Sequence, residues 1–171
     1  MSFTPFKYYV FYDLETTGMN PAFDQILQFA AIKTDLDFNE IEEYQYRLQL
    51  RRDVIPHPEA LLVNRLNINN ILNGEKEYEA IKKMHSILSS SNTINLGYNT
   101  ISFDDEFMRF AYDRNLLNPY SNQNNQVNCN RMDVMPMTIL YFLYQKDALR
   151  WPSLNGRPNL KLENLNELNG L

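Results

Sequence analysis

Cysteine occurs once in these 171 residues, at Cys129. A single thiol forms no internal disulfide, and Cys129 has no nearby Cys or His with which to build a nucleophile or a zinc site. Histidine occurs twice. His57 lies between two prolines in an expected loop and His85 inside an amphipathic stretch, so both read as structural or surface residues. Basic residues are outnumbered, with 16 Lys and Arg against 21 Asp and Glu and a net charge of −5. That balance argues against a protein that captures nucleic acid through bulk positive potential. It leaves open a site whose local positive charge comes from metal ions. No apolar run approaches the roughly 20 residues that span a bilayer. The first residues, Met1-Ser2-Phe3-Thr4-Pro5, lack the charged start and apolar core of a signal peptide. With the lone cysteine, these absences point to the cytoplasm and away from a membrane.

What is present is a globular composition, 44% hydrophobic and 13% aromatic, in a length suited to one domain with a real core. Residues 1–171 show no internal repeat and no second domain. The first third reads as β. Lys7 to Tyr12 is aromatic and Val-rich, Gln25 to Thr34 follows after the turn-prone Gly18-Met19-Asn20-Pro21, and Tyr44 to Leu50 alternates loosely. Three consecutive strands predict an antiparallel meander.

Helices follow. Pro58 before Glu59-Ala60-Leu61-Leu62-Val63 suits a first helical turn. Apolar residues at 80, 81, 84, 87 and 88 give helical spacing over Glu77 to Leu88. Thr93 to Gly97 is a short strand candidate, and Asp104 to Asn115 is again helical. Ser121 to Asn130 is Asn- and Gln-rich and reads as loop. Asp133 to Tyr144 is a strongly apolar helix with Pro136 in its first turn, and Leu160 to Leu168 is a last helix with Gly170 as its C-cap. The order of strands and helices predicts a mixed α/β domain.

Against this background one run stands out: Phe11-Tyr12-Asp13-Leu14-Glu15-Thr16-Thr17-Gly18. Residues i and i+2 of a strand share a face. Asp13 and Glu15 therefore project together from the end of the first strand, a geometry suited to a divalent metal. A solvated strand end can carry the same pair, but the apolar run before it sets these acids at the edge of a core. Thr16-Thr17-Gly18 predicts a tight turn with exposed donors, where a substrate backbone can come close. A second acidic element, Phe103-Asp104-Asp105-Glu106, lies far downstream. Its plain reading is helix capping: Ser102-x-x-Asp105 fits the capping-box pattern, and first-turn acids suit the helix dipole. Asp105 and Glu106 read that way.

These segments together resemble a known family. FYDLETTGMNPAFDQILQFAAI and LGYNTISFDDEFMRFAYDRNL are similar to the DEDD superfamily of 3′-to-5′ exonucleases, and within it to the bacterial exodeoxyribonuclease I family. Asp13 and Glu15 match the Asp-x-Glu motif, and Asn99, Phe103 and Asp104 match Asn-x-x-x-Phe-Asp. Weaker matches are Pro56-x-Pro58, Asp133-Val134-Met135, Trp151-Pro152 and Lys161-Leu162-Glu163-x-Leu165, so the likeness runs along nearly the whole chain.

The resemblance implies an RNase H-like fold and two Mg²⁺ or Mn²⁺ ions. Asp13 would touch both ions, Glu15 one ion and the terminal nucleotide, and Asp104 the other ion. It also implies substrate contacts from Glu15, Thr16, Arg109 and Lys161, where Lys161 falls at a position the family fills with arginine. The implied activity is hydrolysis of single-stranded DNA from its 3′ end to 5′-mononucleotides, by a monomer, with single-strand-binding protein as a further partner. Hard cations choose carboxylate oxygens, and two of them can stabilise the attacking and leaving oxygens of a phosphodiester displacement.

The departures are specific. The family's third motif, a His followed five residues later by an Asp, is not found: residues 62 and 90, five after the two histidines, are Leu and Ser. Asn128-Cys129-Asn130 replaces an Arg-Trp-Asp run of the family. The resemblance thus implies an exonuclease domain cut before its third motif and nearly inactive by itself. Two alternatives stand beside this reading. One is another DEDD nuclease, an oligoribonuclease or a proofreading subunit. The other is a truncated, non-catalytic nucleic-acid-binding module.

Overall fold

A computed structural model describes residues 5–145, 150–151, 153–154 and 157–170 of the chain. Residues 1–4, part of the start inspected for a signal peptide, and Pro152 of the Trp151-Pro152 match lie outside the described residues. Its contacts divide into two compact units, Met1–Met132 and Asp133–Leu171.

The first unit is built on a five-stranded mixed sheet in the order β3-β2-β1-β4-β5. The strands are β1 (Tyr8–Thr16), β2 (Ile26–Thr34), β3 (Glu40–Arg47), β4 (Thr93–Gly97) and β5 (Cys129–Asp133). β1 pairs antiparallel with β2, β2 antiparallel with β3, and β1 parallel with β4. The meander expected from the sequence is therefore the first half of the sheet. Between β3 and β4 run three helices, α1 (Pro58–Asn64), α2 (Ile68–Leu72) and α3 (Glu77–Leu88), and after β4 comes α4 (Asp104–Arg114).

One face of the sheet is packed by α3 and α4. Alternation along β1 sends Val10, Tyr12 and Leu14 inward, where they join Phe29 and Ala31 of β2 in one apolar cluster. α3 contributes Ala80, Ile81, Met84, Ile87 and Leu88 at the helical spacing read from the sequence, and α4 contributes Phe107, Met108, Ala111 and Tyr112. Burial on this scale, near 25 cal/mol per Å² of apolar surface, is the dominant force holding both helices on the sheet.

β1 carries Asp13 and Glu15 as expected and runs on through Thr16, its pairing with β2 extending to Ile26. Three local expectations are corrected. β3 occupies Glu40–Arg47 and not Tyr44 to Leu50, its register being set by Thr34 facing Glu40 and Gln28 facing Arg47. The stretch read as loop contains two single-turn 3₁₀ segments and the start of β5. Strand propensity is weak in that Asn-rich run, and the ladder is made by partners distant in sequence. Finally, Ser102 does not cap α4: the N-cap is Phe103 without a side-chain bond, and the Ser102 hydroxyl lies 2.7 Å from Asn99 Oδ1.

In the second unit, Asp133 caps α5 (Val134–Tyr144) through a 2.9 Å bond from the Met135 N–H. A two-stranded ribbon, β6 (Ser153–Leu154) and β7 (Arg157–Pro158), precedes α6 (Leu162–Asn169). Gly170 ends α6 in the left-handed conformation (φ 70°), as its position after the last periodic leucine predicted. The Asn169 side chain ties the helix end to the backbone of Arg150 in both directions.

Candidate active site

Asp13 and Glu15 lie within β1 on the face opposite Tyr12 and Leu14, with Asp13 exposed and Glu15 half-buried. They are opposed on β2 by Ala30 and Gln28, and a bulge follows at Glu15/Thr16. A bulge re-aims the chain at a strand's end and is common beside functional sites.

Asp104 is the first residue of α4 and is 4% exposed. Its Oδ1 accepts a 3.0 Å hydrogen bond from the backbone N–H of Leu14. Leu14 is the residue between the two strand acids, so this bond sets the helix carboxylate against the segment that carries both. Burial, then the charge of Asp13, push the Asp104 carboxyl up to about 8. Glu15 is raised by burial and then by Asp13, while lost hydration raises Asp13 although its surface is open. Backbone N–H groups offset only part of the cost of ionising Asp13 and Asp104.

The donor set is all hard oxygen, the chemistry that Mg²⁺ or Mn²⁺ selects, and a nearby cation would remove the penalty on each carboxylate. In that sense the residues fit a divalent ion. They do not form a closed cage: among the described residues, no three His, Cys, Asp or Glu side chains converge as a ready-made metal centre.

Next to Glu15 opens a cleft of about 640 Å³, lined in part by Thr16, Met19, His57, Val63 and Phe103. Its wall is a polar turn. Thr17 donates to Asp24 Oδ1 at 2.9 Å and accepts from the Gln25 N–H at 2.9 Å, and the Asn64 amide donates to the Thr16 carbonyl at 2.8 Å. Gly18 is required there: a Cβ would stand 2.5 Å from Asp24 Oδ2 and from His57 Cδ2. The expectation of exposed donors in this turn is corrected. Thr16 and Thr17 are buried, and the Thr16 hydroxyl is committed to the Gly18 carbonyl at 2.6 Å. His57, expected as a loop residue without a role, is the N-cap position of α1 and faces the cleft, with Nε2 4.0 Å from Asp24 Oδ1.

Of the other residues singled out from the sequence, Arg109 lies in α4, where it is paired with Glu106 at 2.5 Å and stacked over Phe110. Lys161 is the exposed N-cap position of α6, in the second unit. Asp105 is more than a first-turn acid. It is 1% exposed, hydrogen-bonded by Tyr12 and Asn122 and ion-paired with Arg131. Nothing in local sequence reveals this, because the three partners come from separate elements.

Comparison with known proteins gives the family and the fold. The family model described as Exonuclease matches residues 10–160. An exodeoxyribonuclease I of Buchnera aphidicola (subspecies Baizongia pistaciae) is 37% identical over 146 residues, covering 84% of this chain and 30% of the relative. A solved structure of Escherichia coli exonuclease I in complex with a dT13 oligonucleotide superposes with a TM-score of 0.89 at 31% identity, over 96% of this chain and 36% of that one. An ExoI/SSB-Ct complex superposes with a TM-score of 0.90 at 31% identity, over 97% and 37%. The chain spans about a third of the length of the curated relatives it matches.

Proposed function

Because the chain belongs to the exonuclease family and carries its RNase H-like fold, we propose that it is the metal-binding core of a 3′-to-5′ exonuclease acting on single-stranded DNA. The observation that carries this reading is the Leu14 N–H bond to Asp104, which brings the helix carboxylate to the strand pair Asp13 and Glu15. These three side chains would hold two divalent cations, Mg²⁺ or Mn²⁺. When bound, the cations supply Lewis-acid stabilisation to the attacking and leaving oxygens of a phosphodiester.

The residues of the chain have their own tasks. Asp13 and Asp104 present carboxylates whose pKa values burial raises, so a cation nearby would favour their charged forms. Glu15 and Thr16, which line the cleft, would contact the terminal nucleotide, and Glu15 would also hold a cation. Arg109 and Lys161 would meet the phosphate backbone. Single-stranded DNA as substrate is supported by the likeness to the dT13-bound enzyme, and single-strand-binding protein as partner by the likeness to the SSB-Ct complex. We place the protein in the cytoplasm and expect a monomer.

The general base and fourth acid of the family have no counterpart at the two histidines of this sequence. Loss of a general base alone costs about 10²–10⁴-fold, so residues 1–171 by themselves should be nearly inactive. The test is the shortening of a 5′-labelled single-stranded oligonucleotide with Mn²⁺, beside E. coli exodeoxyribonuclease I. The expected rate is at least about 10²-fold below that reference, and is abolished by Asp13→Ala. A rate equal to the reference would overturn the assignment of missing groups. A rate indifferent to Asp13→Ala would overturn the site. Faster loss of a matched RNA would move the reading to an oligoribonuclease.

A further inference from the structure

We infer that Asp105 is a positioning residue for the metal site: it fixes α4 against β1 so that Asp104 meets Asp13 and Glu15. The inference rests on the proposed metal reading of those acids.

Two consecutive residues of α4 are tied to one strand. Asp104 accepts the Leu14 N–H at 3.0 Å, and Asp105 Oδ1 accepts the Tyr12 hydroxyl at 2.7 Å. Tyr12 and Leu14 are two apart on the inward side of β1. Core packing holds the body of α4 on the sheet, but a single bond at its first residue still leaves that end free to turn about the bond. A second bond, displaced by one residue on the helix and two on the strand, removes that freedom and sets where the Asp104 carboxylate points.

The second tie is itself anchored from behind. Asn122 donates to Asp105 Oδ1 at 3.1 Å, and the Arg131 guanidinium pairs with Oδ2 at 2.9 Å. Asp105, Tyr12 and Asn122 are all at least 95% buried, whereas the Arg131 side chain is about a quarter exposed, 27%. One carboxylate therefore joins β1, α4, the 3₁₀ turn at Ser121–Gln123 and β5. A buried carboxylate held by two hydrogen bonds on one oxygen and by an ion pair on the other is confined to a narrow range of arrangements, which is what a ligand-holding helix end needs. Partners that orient metal ligands from behind commonly change metal affinity 10–100-fold when removed.

The test is Mn²⁺ affinity measured by titration calorimetry on the whole 171-residue chain, with circular dichroism as the check of folding. Tyr12→Phe removes only the hydroxyl tie. Asp105→Ala removes every tie, and Tyr12→Phe serves alone if that chain does not fold. The control is Ile81→Val, a truncation of the fully buried α3 core that lowers stability without touching the network. The expected result is a Mn²⁺ Kd raised about 10-fold or more in Tyr12→Phe and unchanged in Ile81→Val. An unchanged Kd in a folded Tyr12→Phe chain, with only its melting temperature lowered, would make Asp105 merely structural. Failure of the unaltered chain to bind Mn²⁺ would overturn the metal reading itself, and this inference with it.

Discussion

Asp104 is where burial and charge oppose each other most directly. Its carboxyl is raised from the usual 3.8 to about 8, first by burial and then by Asp13. A carboxyl raised on folding stabilises the fold fully below its unfolded value, and that contribution is lost as pH rises through the folded one. With divalent ions chelated, the account predicts that this contribution disappears between about pH 4 and pH 8. Asp104→Asn, neutral at every pH, should therefore melt increasingly above the unaltered chain over that window. A gap between the two that does not widen with pH, measured by thermal melts at matched salt, would contradict the assigned burial. His85 works in the opposite sense. Burial lowers its pKa, so the neutral ring favours the fold above about 6.5 and acidification below that value should destabilise the chain. Melts of His85→Phe, which packs on Tyr112 without titrating, should lose that acid sensitivity.

At the scale of elements, the site depends on how firmly α4 is held. Phe107 packs on Phe103 with ring centroids 4.9 Å apart and is 2% exposed. Phe107→Ala should cost about 3–5 kcal/mol, read from urea unfolding. A cost under about 1 kcal/mol would mean that the helix is held elsewhere. The elements also show what was legible in the sequence. The pairing of Asp13 with Glu15 is legible because strand geometry alone puts i and i+2 on one face. The apolar spacing of α3 is equally plain, as is Pro58 at the start of α1. The capping of α4 is not: Ser102 turns to Asn99, whose backbone is left-handed (φ 63°). A short motif cannot tell which partner its hydroxyl will choose. β5 is illegible for a different reason. Its burial alternates along the strand, but the inward positions after Cys129 are Arg131 and Asp133, so the sequence prints no apolar alternation and its strand character comes from its place in the sheet. Asp105, likewise, is a buried hub only because three separate elements converge on it.

At the scale of the whole molecule, charge sets the expected partnership. With a net charge of −5, the chain has little bulk attraction for phosphates, and affinity for single-stranded DNA at physiological salt should be weak and only mildly salt-dependent. A tight complex with a steep salt slope, measured by anisotropy of a labelled oligonucleotide, would instead favour a nucleic-acid-binding module. The fold was legible at this scale through resemblance more than through pattern. Asp-x-Glu and Asn-x-x-x-Phe-Asp lie about 90 residues apart, and no periodicity joins them; the Leu14–Asp104 bond does.

The central claim is that Asp13, Glu15 and Asp104 together hold divalent cations, and the most direct test is the thermal melt of the chain with and without Mn²⁺. At a cation concentration near 100 times Kd the gain is about 2.7 kcal/mol, which for a chain of this size corresponds to roughly 5–10 °C. The account predicts a rise of that order that is lost in Asp13→Ala and in Asp104→Asn. No rise, or the same rise in Asp13→Ala, would contradict it.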